Sequence, residues 1–183
     1  MDGPLLRARS RIDPGPLDPR ELAGFVETFI YEPAAFIIDA VLDVDYDQRA
    51  LRARTETSRH WPIASLQRGP AHVHPRHVSG PELILLTGNL GCLHAYLFHS
   101  VRWNQGWVGY GSRIHRADFR ELVRLGPPLE SCCRETQVRR GRRRIVARYQ
   151  FEFYQEGRLV FRSDQTAMFL KSLDGQDEAG EAE

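Results

Sequence analysis

Cysteine is scarce, with three residues in 183, two of them adjacent at 132 and 133. That scarcity excludes a disulfide framework and a CxxC metal knuckle, and it fits a reducing compartment. Lysine is nearly absent, one against 24 arginines, which reads as coding bias rather than function. No run reaches the roughly 20 apolar residues of a membrane-spanning helix. The net charge is only +1, which excludes a global field that would recruit DNA or an anionic membrane. The opening stretch, MDGPLLRARSRIDPGPLDP, lacks an apolar h-region and a cleavage site. Secretion is therefore not expected, and the cytoplasm is the expected location. No internal repeat is visible.

What remains is a chain of 21.0 kDa with 42% apolar and 27% charged residues, the balance of one globular domain. Its charge is uneven. Residues 1–100 hold 10 basic and 12 acidic side chains, residues 101–171 hold 15 and 7, and residues 172–183 hold none and 5. The first 17 residues, rich in proline and charge, read as a flexible arm. The last twelve, SLDGQDEAGEAE, read as a disordered acidic tail. The domain is expected over 18–171.

Within it, Asp18 to Ile30 reads as a helix, with Asp18 as cap, Pro19 at the first position and Leu22, Phe25, Val26 and Phe29 at helical spacing. Residues 38–46 and 51–58 alternate in polarity and predict two strands. The segment PELILLTGNLGCLHAYLF, 81–98, is apolar nearly all round and predicts a buried helix. Ser79 and Glu82 match a capping box at its start. Gly88, Gly91 and Ala95 share a face and predict close approach to another backbone. Four strands follow, at 107–115, 129–140, 142–154 and 159–170, with turns at Arg140-Gly141 and Glu156-Gly157. So few helices and so many strands predict an antiparallel sheet folded around one helix, an α+β arrangement.

Between the early strands and the buried helix lies RHWPIASLQRGPAHVHPRHVSG, residues 59–80, aperiodic and holding four histidines. It reads as a long functional loop. His72, His74 and His77 have a spacing open to a metal reading, but no carboxylate or cysteine completes a site, and no metal is expected. His94, inside the buried helix, reads as a core group. Cys132 and Cys133 lie in a strand, and no GxSxG elbow is present, so a covalent nucleophile is not evident.

One long apolar helix wrapped by a curved antiparallel sheet is the hot-dog pattern. The helix entry HVSGPELIL, residues 77–85, resembles that of the FcoT-like thioesterases, as do the strand FIIDAVLDVDYD and the closing strands IVARYQFEFYQEGRLVFRSDQTAMF. The resemblance covers roughly residues 20–171 and implies action on acyl thioesters of coenzyme A or an acyl carrier protein by a homodimer. The histidines of 60–77 and the surplus of arginine are compatible with a branch of that family that makes β-amino acids. That branch adds glycine to C3 of an α,β-unsaturated fatty acyl thioester and then releases the N-carboxymethyl-3-amino acid. Plain acyl thioester hydrolysis and a non-catalytic acyl-binding or carrier-docking module are the alternatives.

Both reactions need a base, a donor for the thioester oxygen and, for glycine, a guanidinium for its carboxylate. Glu82 is the candidate base, since partial burial would raise its pKa while the helix N-terminus opposes that. It is equally a plain capping residue. His60 and His77 are candidate acid/base partners. Asn89, one face with Glu82, could donate to the carbonyl or simply tie down a loop. Arg76 and Arg143 are candidates for a carboxylate or phosphate. Tyr31, Trp61 and Trp107 could line an acyl pocket or belong to the core. The run RRGRRR, 139–144, could meet coenzyme A phosphates, a carrier protein or RNA, or be a solvated turn. No cofactor, no nucleic acid and no membrane span are expected.

Overall fold

The computed structural model describes residues 15–172. The acidic tail from 173 and the first fourteen residues of the arm lie outside the described residues. Gly15, at the end of that arm, accepts a hydrogen bond from the Val44 N–H (2.9 Å).

Helix α1 spans Pro19–Thr28, with the Asp18 carboxylate accepting from the Arg20 N–H at 2.8 Å. Phe25 of α1 packs against Phe29, Phe36 and Tyr96, with ring centroids 4.9–5.2 Å apart. Strands β1 (Ala40–Asp45) and β2 (Ala50–Thr55) form a hairpin, then β3 (His77–Val78) precedes helix α2 (Gly80–His99). Strands β4 (Trp107–Phe119), β5 (Val123–Arg124), β6 (Leu129–Arg140), β7 (Arg144–Gln155) and β8 (Arg158–Lys171) complete the chain. The main sheet has six antiparallel strands in the order β1-β2-β6-β7-β8-β4.

The sheet closes around α2 because its inner face is apolar at every second residue. On β7 these are Ile145, Ala147, Tyr149, Phe151 and Phe153. They share one hydrophobic core with Leu83, Leu86, Leu90 and Leu93 of α2, all nearly inaccessible. Each such side chain contributes about 1.5–3 kcal/mol on burial. The β7–β8 turn holds Glu156 at φ 50° and Gly157 at φ 75°, the paired left-handed conformation that matches strand twist. The expected α+β hot-dog arrangement is what the molecule adopts. Among the described residues, no helix is long and apolar enough to cross a membrane.

Two expectations need correction. The stretch 59–80 is not free of regular structure: it holds a short 3-10 turn at Ala64–Leu66, and β3 pairs with β5 through His77–Arg124 and Val78–Val123. The glycine face of α2 does not meet another backbone. A Cβ at Gly88 would find open space, and one at Gly91 would reach only the Tyr149 ring, 3.9 Å away.

Candidate active site

That open space is a cavity of about 250 Å³ between α2, β4 and the inner face of β7 and β8. It exceeds the roughly 150 Å³ apolar void that holds a benzene ring in an engineered protein. Phe29, Leu85, Cys92, Phe151 and Phe169 supply apolar wall. Leu85, Gly88, Asn89 and Cys92 recur at helical spacing, so one stripe of α2 forms one side. The positions there that carry no bulky side chain, Ala35, Gly88, Gly91, Gly109, Gly111 and Ala167, leave the room.

Polar groups converge at one part of this wall. Asn89 is buried, and its Oδ1 accepts from the Ile37 N–H at 2.9 Å. Because a backbone N–H fixes which end of the amide is oxygen, Nδ2 is the end left to donate. The Thr87 hydroxyl donates to the Ile84 carbonyl (2.6 Å) and accepts from Gln165 Nε2 (3.0 Å), which also reaches Ser163 Oγ (3.0 Å). Among the described residues, no carboxylate or imidazole lines this cavity. Its mouth is rimmed by Leu85, Tyr31 and Tyr110, all exposed.

Glu82 is arranged differently from the expectation. Its Oε2 accepts from the Ser79 N–H (2.8 Å) and Ser79 Oγ–H (2.7 Å), and its Oε1 from the N–H groups of Ile63 (2.8 Å) and Ala64 (3.2 Å). The carboxylate turns back onto the main chain and outside the cavity wall. Burial raises its pKa, but the bonds from Ser79, Ile63 and Ala64 outweigh that and hold it below the usual carboxylate range. A base poised near neutrality would need the opposite shift. Glu82 is thus an anchor that ties the 59–80 loop to the start of α2.

The other candidates divide similarly. Tyr31 stands at the cavity mouth, with its ring against Phe29 (5.5 Å). Trp61 is buried in the core and does not line the cavity. His60 is exposed, away from the cavity wall. His77 Nδ1 donates to the Pro75 carbonyl (2.8 Å), and with Arg76 it faces a separate cleft beside Glu121 and Arg158. Arg143 is exposed at the β6–β7 turn. Thus Asn89 and Tyr31 share the cavity, whereas Glu82, His60, His77, Arg76, Arg143 and Trp61 lie outside it.

Sequence reasoning missed Thr87, Cys92 and Gln165, and it read Gly88 as room for a backbone rather than for a cavity. The signal for Gln165 was there: Phe161, Ser163, Gln165, Ala167 and Phe169 alternate inward on β8, and two polar residues interrupt that buried face. A second buried polar group lies beyond the cavity. His94 Nε2–H donates to the Arg49 carbonyl (2.9 Å), and Nδ1 is buried without a partner. Burial lowers its pKa to about 4, against the opposing effect of that carbonyl, so the ring is neutral. Nearby, His99 bonds Glu135 and receives Arg140, while Arg49 reaches Glu135 at 2.7 Å. His94, His99 and Glu135 are close enough to share an ion. The two guanidiniums already on His99 and Glu135 oppose a cation there.

A helix enclosed by one curved antiparallel sheet, with a cavity between them, defines a hot-dog fold. No family model matches the sequence, and no curated protein matches it. Among solved structures, a mutant thioesterase from Pseudomonas aeruginosa is similar, with TM-score 0.56 and 17% identity over 85% of this chain and 96% of that one. A thioesterase from Haemophilus influenzae (TM-score 0.46, 18% identity, 69% of this chain and 76% of that one) is more distant. So is a phenylacetic acid degradation-related protein from Ralstonia eutropha (TM-score 0.46, 17% identity, 83% and 92%). The Pseudomonas match establishes the fold: this chain has the hot-dog architecture seen in that thioesterase.

Proposed function

We propose that the protein hydrolyses fatty acyl thioesters, with the acyl chain in the cavity beside α2. The carrying observation is Asn89. Its oxygen is engaged by Ile37 and its Nδ2 is left as donor in a mainly apolar wall, whose other polar side chains include Thr87 and Gln165, bonded to one another. A thioester carbonyl set against that donor gains stabilisation as its oxygen becomes anionic. Water adds to the carbonyl carbon, the C–S bond breaks, and the thiol leaves with the proton. Water enters from the open rim of Leu85, Tyr31 and Tyr110.

Homodimerisation belongs to the same reading. Among the described residues, strand β4 is a thirteen-residue edge, paired on one side only, by β8, and it exposes Tyr110 and Ile114. Such an edge is a template for a second copy. Its apolar side chains adjoin the cavity mouth.

Glycine addition is the finer reading. The amine nitrogen bonds to C3 of an enoyl thioester, a proton passes to C2, and hydrolysis follows. It rests on the resemblance of residues 77–85 to the FcoT-like thioesterases. The geometry favours plain hydrolysis, because the guanidiniums of Arg76 and Arg143 stand outside the cavity. The test is incubation with a medium-chain enoyl thioester of coenzyme A or an acyl carrier protein, with and without glycine, followed by mass spectrometry. Thiol release at equal rates without an adduct is expected. A glycine-dependent adduct would establish the conjugate addition, and no turnover on any thioester would leave an acyl-binding module.

A further inference from the structure

The histidine-rich segment between β2 and α2 lines no part of the acyl cavity, yet its loop is built rather than slack. Gln67 closes the base: Nε2–H donates to the His77 carbonyl and Oε1 accepts from the His77 N–H, both at 3.0 Å. Within that ring the N–H groups of Val73 and His74 donate to the Pro70 carbonyl, both at 2.9 Å. The nine residues 68–76 are all exposed, so the loop projects from the surface. Leu66 at its base and Val73 in its turn are 77% and 70% exposed, the highest values for large apolar side chains among the described residues. The segment's charge has one sign. No carboxylate occurs between Glu56 and Glu82, whereas Arg59, Arg68 and Arg76 do. Arg59 is turned to Asp39 (3.4 Å). Among the described residues, no ion pair engages Arg68 or Arg76. The carboxylates that share a cleft with Arg76, Glu121 and Glu156, are held by Arg158 and Arg124.

We propose that this loop docks on an anionic phospholipid bilayer, with Leu66 and Val73 entering the headgroup boundary and Arg68 and Arg76 on lipid phosphates. The chain as a whole carries a net charge of only +1, so the attraction is local and fades within a Debye length of the surface. Apolar insertion and a basic patch act together here, since a single weak anchor gives only marginal membrane binding. A partner helix or strand docks in a groove or along an edge of complementary shape. These apolar side chains stand on a projection instead, which suits a fluid surface that needs no fixed shape. Docking also bears on the cavity. Glu82 of α2 accepts from the N–H groups of Ile63 and Ala64, and Leu85, one turn further along α2, is exposed at the cavity mouth. The loop is thus tied to the turn of α2 that leads to the mouth. A docked loop holds that opening near the bilayer, where amphiphilic acyl thioesters collect.

The lipid contact stands without the thioester reading, and its test uses no substrate. The full chain is sedimented with vesicles of phosphatidylcholine alone and of an equal mixture of phosphatidylcholine and phosphatidylglycerol. Binding to the mixed vesicles that weakens with salt is expected, with far less on phosphatidylcholine alone. Arg68→Ala/Arg76→Ala should weaken it about 25-fold, roughly fivefold for each guanidinium. Leu66→Ser/Val73→Ser should weaken it about tenfold or more. Arg139→Ala/Arg144→Ala removes the same charge from the exposed β6–β7 hairpin and should change it by less than about twofold. All these side chains are exposed, and a retained melting temperature verifies that each variant folds. The proposal is overturned by no binding to the mixed vesicles, by equal binding to both kinds, or by a loss confined to the hairpin variant. Binding that tolerates the serine pair would also overturn it, leaving adsorption without insertion. So would capture of an acyl carrier protein through Arg68 and Arg76 in the absence of vesicle binding, in favour of carrier docking. Vesicle binding without turnover on any thioester would keep the loop and remove the hydrolase.

Discussion

Glu82 and Asn89 stand seven residues apart on one face of α2, about 10 Å along its axis. Both are buried to nearly the same degree, at 3% and 4% exposure. Their valences differ. Glu82 has four donors on its two oxygens. Asn89 has one bond, to Ile37, and an amide nitrogen left for the cavity. Residue type favours the carboxylate as the catalyst, yet the group with unspent hydrogen-bonding capacity is the amide. Depth and chemistry alone do not identify a working side chain; what its neighbours leave unoccupied does.

Replacing Asn89 should break the comparison most severely. Asn89→Ala should lower kcat for a fatty acyl thioester by about 10²–10³, the loss that follows removal of one donor to a developing oxyanion. Steady-state thiol release measures it, and a change in KM alone would refute the role. His94 provides the intermediate case: one nitrogen engaged, one unspent, and a place outside the lining of the acyl cavity. Its folded pKa is about 4 against 6.5 unfolded, so between those values the unfolded chain binds the extra proton. Its contribution is therefore intact above pH 6.5 and is lost as pH falls toward 4, by up to about 3 kcal/mol. Denaturant titrations of His94→Gln across that window should show a flatter dependence than wild type.

Glu82→Gln should act on stability rather than turnover. The amide sets its own donors against N–H and O–H groups, which costs about 2 kcal/mol. The folded fraction should keep kcat within a few-fold of wild type, whereas a general base would lose about 10²–10⁴. Because the Glu82 pKa is lowered in the fold, its stabilisation is present above 4.5 and lost as pH falls through the folded value. The variant should lack that acid-dependent component. The smallest effect is Gly88→Ala. A Cβ there meets nothing, so the helix should gain up to about 1 kcal/mol, read as a higher melting temperature. The methyl enters the cavity mouth, so KM for the longest acyl chains should rise.

Much of the frame was legible from local patterns. The box of Ser79 and Glu82, the apolar run of α2 and the turn at Glu156-Gly157 each involve neighbours within four residues, where period and turn chemistry speak directly. The pairing of β3 with β5 did not show, because two-residue strands carry no period. Neither did the partners of Glu82, since Ile63 and Ala64 lie in an aperiodic loop. Gly88 signalled a need for space, but whether for a neighbouring backbone or a ligand depends on what packs opposite.

The amino-acid sequence by itself determined the hot-dog arrangement, since inward-facing residues every second position on long strands have one apolar helix to enclose. It also determined that α2 would carry a carboxylate and an amide on the same side. Only the tertiary structure decided which of the two keeps an unused donor or acceptor. Hydrogen bonds between distant segments, such as Asn89 to Ile37, consume valence that no local spacing records, and what they leave over is what chemistry can use.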